Sequence, residues 1–355
     1  MRSPRKPDSY DSLQYLLSRY AFEVLESKVR VDDSIRKTVV YVGVKRGGRF
    51  MARGTGFITV YFVGDGLPGD RGYQNIVTAR HVLDGIDDTE IFIRLNTHDG
   101  AARVIATEAS YWKPHPSGHV DLVTCPTGIP KDDFDIMHLD VDSGMMFTDF
   151  ANPRATFGIG DEVVIAGMFQ QHMGEARNIP IIRTGSIAAM PEEPIETNYG
   201  SHHAYLIEAR SIDGLSGSPV FAASSYAKLQ DGKVTPRAQI NFKLLGVLLG
   251  TNEVLNDKDY VEVRSSGYES DRDAIRTLMN TGIGIVAPVD LLVETVKHPE
   301  IVKERADFTA MKDPNRRYRP TSVGKEPPTT EDNPDHREDF NSLLDAAVAG
   351  KPRGQ

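Results

Sequence analysis

The middle of the chain reads as all-β, a barrel or a sandwich, on three observations. Short runs rich in β-branched and aromatic residues recur from Lys37 to about Pro288: T-V-V-Y-V-G-V at 38–44, G-F-I-T-V-Y-F-V at 56–63, E-I-F-I-R-L at 90–95, E-V-V-I-A-G at 162–167 and L-L-G-V-L-L-G at 244–250. Gly, Asp, Asn and Pro punctuate these runs at hairpin-like intervals. Helical periodicity is scarce between them, so no strand–helix–strand alternation builds a parallel sheet.

The flanks differ in character. Tyr10, Leu13, Leu16, Leu17, Tyr20, Val24 and Leu25 fall near helical spacing, with Ser9 or Asp11 placed to cap, and predict an N-terminal helix. A helix resumes past Val289 through L-L-V-E-T-V at 291–296. From Lys312 to Thr330 the sequence turns to Pro, Arg, Lys, Glu and Thr, the composition of a disordered linker. A short amphipathic segment follows at 338–347.

The chain has 355 residues, 39% of them apolar and 26% charged, and a formal net charge of -9. That balance fits a soluble globular protein and argues against a nucleic-acid partner, which calls for a basic surface. A single cysteine, Cys125, excludes an intrachain disulfide. The basic N-terminal residues are followed by no apolar run of signal-peptide length, and no stretch is long enough for a transmembrane helix. The expectation is a cytoplasmic protein without a membrane partner.

Three segments supply the parts that acyl transfer by serine requires: a nucleophile, a base, a group to hold the base, and backbone donors for the oxyanion. Ser216 lies in G-L-S-G-S-P-V at 214–220, where Gly214 lets the backbone turn its N–H toward a substrate carbonyl, so that the Gly214 and Ser216 amides form the oxyanion hole. Taken alone, the segment also fits an ordinary turn between strands. His81 ends the apolar strand N-I-V-T-A-R-H-V-L at 75–83, with G-T-G-F-I at 54–58 as a partner strand, which projects the imidazole into a cleft. Asp121 opens the apolar run in H-V-D-L-V at 119–123 and is placed to accept the Nδ1–H of a histidine. Asp135, in F-D-I-M at 134–137, is the alternative.

Together, T-A-R-H at 78–81, D-L-V at 121–123 and G-L-S-G-S-P-V at 214–220 resemble the trypsin-like serine peptidase family, in its bacterial, disulfide-free branch. G-I-G-D-E-V-V-I-A-G at 158–167, R-T-G-S-I at 183–187, L-L-G-V-L-L-G at 244–250 and G-I-G-I-V-A-P-V-D at 282–290 are similar to strands of that family's second barrel. The order His, Asp, Ser and spacings of about 40 and 95 residues suit the family and favour Asp121 over Asp135. The resemblance implies two perpendicular six-stranded antiparallel β-barrels, the first over 37–155 and the second, with its terminal helix, over 156–300. A helical extension would precede them at 1–36, and a largely disordered tail would follow at 301–355. His81 and Asp121 would come from the first barrel and Ser216 from the second.

The implied activity is intracellular endopeptidase action on protein or peptide substrates, without cofactor or metal. Leu215 stands where digestive members carry an aspartate, so activation by a new N-terminus is excluded on charge grounds. Arg210, six residues before the nucleophile, occupies a position often at the base of the specificity pocket, and either favours acidic side chains or points to solvent or pairs with Asp213. Leu249, Gly250 and Thr251 would line the same pocket and hold substrate backbone as an added strand. The polar insertion at 252–281 would form a lid or a solvated loop. His115, His119 and the pair His202-His203 lack the spacing of a metal site. Two alternatives remain: a catalytically silent binding or scaffold module, and a peptidase switched on by a protein partner docking at the N-terminal helix, the insertion or 338–347.

Overall fold

The computed structural model describes residues 31–63, 71–86, 90–142, 157–197, 199–209, 214–224, 227–230, 233–236, 242–251 and 282–310. The expected N-terminal helix, Arg210, Asp213, the insertion at 252–281, the linker and the segment at 338–347 lie outside them.

Strand formation follows the apolar runs. The first set is β1 (Val39–Arg46), β2 (Arg49–Val63), β3 (Arg71–Ala79), β4 (Glu90–Asn96), β5 (Ala102–Glu108), β6 (Lys113–Pro114), β7 (Leu122–Thr127) and β8 (Leu139–Asp140). These make an eight-stranded sheet in the order β5-β4-β1-β2-β3-β7-β6, with β8 paired to β2. Six antiparallel strands were expected here; the two short strands β6, on β7, and β8, on β2, bring the sheet to eight, and the place for β8 arises in β2. Its 15 residues outrun any one partner. The first part pairs with β1 and the second with β3, which leaves an edge at Thr59 and Val60 for a parallel pairing with β8. Val40, Tyr41, Val42, Phe57, Ile58, Ile76, Val77 and Ile93 have almost no exposure, so these strands are covered on both faces.

The second set holds β9 (Glu162–Gly167), β10 (Ile181–Ala189), β11 (Pro194–Thr197), β12 (Gly200–His203), β13 (Tyr205–Glu208), β14 (Pro219–Ala223), β15 (Ala227–Gln230), β16 (Lys233–Pro236), β17 (Phe242–Thr251) and β18 (Ile283–Pro288). Six of these close into an antiparallel barrel, β10-β13-β18-β17-β14-β9, and β9 pairs back to β10. Inward-facing positions alternate along each strand, as a half-buried sheet demands: Val163 and Ile165, Tyr205 and Ile207, Val220 and Ala222 meet Leu245, Leu248 and Val286 in one core. β11 and β12 form a separate hairpin between β10 and β13. β15 and β16 form another. Two helices follow the barrel, α1 (Val289–Val296) and α2 (Pro299–Ala310). The architecture is all-β with a closed six-stranded barrel and a second sheet, the class that the trypsin-like motifs imply. No helix among the described residues is long and apolar enough to cross a membrane.

Candidate functional site

The β3–β7 ladder runs antiparallel in the register Thr78↔Val123 and Ala79↔Leu122. One step further, the Arg80 N–H donates to the Asp121 carbonyl at 3.2 Å. There β3 ends and the chain tightens into a 3-10 turn, Arg80–Leu83, that lifts His81 out of the sheet. The ladder therefore brings Asp121 beside His81. The Asp121 carboxylate takes hold of His81 at two points: Oδ1 accepts the backbone N–H at 2.9 Å, and Oδ2 lies 2.7 Å from Nδ1. The aspartate side chain is 9% exposed and the histidine 36%, so the carboxylate is buried behind an imidazole that reaches solvent. A carboxylate accepts and does not donate, so this contact places the proton on Nδ1 and leaves Nε2 as the free base. Asp135 lies elsewhere, in an ion pair with Lys37 at 2.7 Å.

Ser216 sits on the turn that leads into β14. Leu215, just before it, is fully buried and plugs into the barrel core. Burying a leucine in this way contributes about 1.5–3 kcal/mol, so the apolar residue that excludes an ion pair also anchors the turn. Gly214 and Gly217 adopt positive φ, 96° and 85°. A Cβ on Gly217 would stand 2.1 Å from the Thr55 carbonyl oxygen, which only glycine avoids.

Three successive carbonyls of the turn are held. Thr55 Oγ1 donates to the Gly214 carbonyl at 2.6 Å, the Ser218 N–H to Leu215 at 2.9 Å, and the Thr55 N–H to Ser216 at 2.9 Å. Because the trans peptide sets C=O and the following N–H antiparallel, the Ser216 N–H points away from the Ser218 amide. Among the described residues it has no hydrogen-bond acceptor, which suits a donor reserved for an incoming oxyanion. The peptide that carries the Gly214 N–H begins at Asp213, outside the described residues.

Gly250 approaches Ser216: a Cβ built there would be 3.6 Å from Ser216 Oγ. The β14–β17 ladder ends at Pro219↔Val247, and the next bonds are Leu248 N–H to the Ser218 carbonyl and Gly217 N–H to the Leu248 carbonyl. Leu249, Gly250 and Thr251 run beyond it, and the last two pair with β18 on the other side. Among the described residues, no hydrogen bond joins the His81 ring to Ser216 Oγ. Arg210 lies outside the described residues, as does the side chain of Thr251.

Two features near His81 carry no sequence signal. Thr55 is one, since its partners lie as far as 159 positions away. The β11–β12 hairpin is the other. Its Tyr199 hydroxyl donates to Asp84 Oδ2, and its ring lies 4.8 Å from the Arg80 guanidinium. Burial, then the bond to Asp84, raises the pKa of this phenol.

The remaining histidines serve other ends. His115 Nε2 faces Glu294 Oε2 at 3.2 Å, and burial, opposed by Glu294, lowers its pKa. His202 and His203 sit at 3.0 and 2.9 Å from the carbonyls of His203 and Pro191. Among the described residues, no group of three or more His, Cys, Asp or Glu is arranged to hold a metal ion.

No family model matches the chain, and no curated protein does. Among solved structures, it is similar to the MamO protease domain from Magnetospirillum magneticum, at 14% identity and a TM-score of 0.44, over 73% of this chain and 96% of that one. It is also similar to the active form of the Rv3671c protease from M. tuberculosis, at 15% identity and a TM-score of 0.40, over 84% of this chain and 91% of that one. These are distant likenesses.

Proposed function

We propose that this chain is a serine endopeptidase that cleaves protein or peptide substrates through an acyl-enzyme on Ser216. The observation that carries the reading is the two-point grip of Asp121 on His81, which engages Nδ1 and leaves Nε2 as the ring nitrogen available to a serine hydroxyl. In this mechanism Nε2 takes the Ser216 hydroxyl proton as Oγ attacks the scissile carbonyl. The oxyanion settles on the Ser216 N–H, with the Gly214 N–H as second donor. Collapse breaks the C–N bond, and His81 returns its proton to the leaving amine. Water then attacks the acyl-enzyme by the same route and regenerates Ser216. Asp121 stays ionised throughout and stabilises the imidazolium. An extended substrate lies along Leu249, Gly250 and Thr251 as an added strand.

Digestion of denatured casein tests this reading. The wild-type chain is expected to release fragments with new internal termini, and Ser216→Ala or His81→Ala to slow release by on the order of 10⁶-fold. Digestion at the wild-type rate by Ser216→Ala would overturn it. One observation favours a second reading, a binding protein without hydrolysis: the absence, among the described residues, of a hydrogen bond between His81 and Ser216. Such bonds are often long before substrate binds and tighten in the Michaelis complex, so the peptidase is preferred. No digestion by the wild-type chain, with saturable binding of unfolded peptide, would favour the binding protein.

A further inference from the structure

Thr55 is fully buried in β2, yet all of its polar atoms are engaged across three segments distant in sequence. Its N–H donates to the Ser216 carbonyl at 2.9 Å, and its carbonyl accepts from Thr78 Oγ1 at 2.6 Å. Its hydroxyl donates to the Gly214 carbonyl at 2.6 Å and accepts the Met168 N–H at 2.9 Å. A hydroxyl has one proton to give. Accepting from Met168, just past β9, orients that proton toward Gly214 and polarises the bond.

The two bonds to the nucleophile turn fall on either side of one peptide. Thr55 Oγ1 fixes the Gly214–Leu215 plane, and Thr55 N–H fixes the Ser216–Gly217 plane. Between them lies the Leu215–Ser216 peptide, whose N–H is the oxyanion donor of the proposed function. Rotation of either flanking plane would swing that N–H, and a donor is useful only within hydrogen-bond reach of the place where charge develops. We propose that Thr55 is a positioning residue that presets the oxyanion donor of Ser216 from the opposite sheet, a role that rests on the peptidase reading.

Thr55→Val removes the hydroxyl and keeps shape and backbone N–H. Thr55→Ser keeps the hydroxyl and loses only a methyl. Thr107 is the matched control, because its buried hydroxyl also donates to a carbonyl, Ile91 at 2.7 Å, and accepts an N–H, Trp112 Nε1 at 2.8 Å, but on β5.

The measurement is the rate at which an alkyl fluorophosphonate labels the full chain. Ser216 Oγ attacks phosphorus, fluoride leaves, His81 takes the hydroxyl proton, and the phosphoryl oxygen uses the oxyanion donor. Thr55→Val is expected to lower the limiting labelling rate by about 10- to 100-fold while the half-saturating probe concentration holds. Thr55→Ser should label within about threefold of wild type, and Thr107→Val should lose thermal stability without losing labelling rate.

A folded Thr55→Val that labels at the wild-type rate overturns the proposal, as does a Thr107→Val slowed equally. If Thr55→Val does not accumulate as folded protein, Thr55→Ser decides. Wild-type labelling supports the hydroxyl's role, and a tenfold loss assigns the position to packing of the methyl. Wild-type protein that takes no label at Ser216 refutes the peptidase reading itself, an outcome distinct from any of these.

Discussion

In the proposed mechanism Asp121 decides which nitrogen of His81 is basic, and a single-atom change exposes that dependence. In Asp121→Asn an amide can offer its NH₂ group where Oδ2 stands 2.7 Å from Nδ1. The imidazole then carries its proton on Nε2 and cannot accept one from Ser216. Casein digestion by Asp121→Asn is expected to fall by about 10⁴-fold with the fold intact. A loss under tenfold would mean that the tautomer is set elsewhere. In the sequence His81 stands out because it ends an apolar run, Asp121 because it opens one, and Ser216 because it lies between Gly214 and Gly217 ahead of one. The carboxylate beside His81 is Asp121 and not Asp135 because only Asp121 continues the β3–β7 ladder. Thr55 was not legible: a threonine in an apolar strand is good β-former chemistry, and its meaning lies in partners 113 and 159 positions away.

At the scale of elements, the turn carrying His81 is steadied from two sides. Arg53 on β2 donates to the Val82 and Asp84 carbonyls at 3.1 and 2.8 Å. Tyr199 on the β11–β12 hairpin binds Asp84 and covers Arg80. A partly exposed cation–π contact of this kind contributes about 0.5–1 kcal/mol, too little to hold the fold but enough to quiet a short turn. Tyr199→Ala is therefore expected to speed hydrogen exchange at the Asp84 and Ile86 amides, bonded to the His81 and Leu83 carbonyls, and to leave β9 and β14 unchanged. Uniform acceleration would mean global destabilisation, and none would mean that the hairpin does not bear on the turn. Strand runs were read closely from sequence because apolar patterning marks them; E-V-V-I-A-G at 162–167 coincides with β9. Helix α2 was missed. It carries few apolar residues, and it is fastened to the first sheet by the buried Arg305, which donates to the Gln74 carbonyl and Asn75 Oδ1 at 3.1 Å and lies 4.7 Å from the Tyr73 ring. Hydropathy puts an arginine outside, so its cation–π seat between tyrosines leaves no trace in the pattern.

For the whole molecule, the sequence conveyed the all-β class and the closed barrel, while the parallel pairing of β8 depends on β2 outrunning its partners, a tertiary matter. Global stability carries its own pH signature. His138, just before β8, has a buried Nδ1 without a hydrogen-bond partner among the described residues. Burial, aided by the Lys131 charge and opposed by Asp140, lowers its pKa from 6.5 to about 4. The unfolded chain takes up that proton first, so this contribution to stability is whole above about pH 6.5 and is lost as the pH falls toward 4. Melting temperature should drop from pH 7 to 4.5 in the wild type and more gently in His138→Gln. Parallel slopes would place the acid sensitivity in other groups.

The proposed nucleophile is tested most directly by intact-mass and peptide mapping after treatment with a fluorophosphonate. A single phosphonyl adduct on Ser216, absent from Ser216→Ala and slowed in Asp121→Asn, is the expected outcome. An adduct on another residue, or none on folded wild-type protein, would remove Ser216 from the centre of the mechanism.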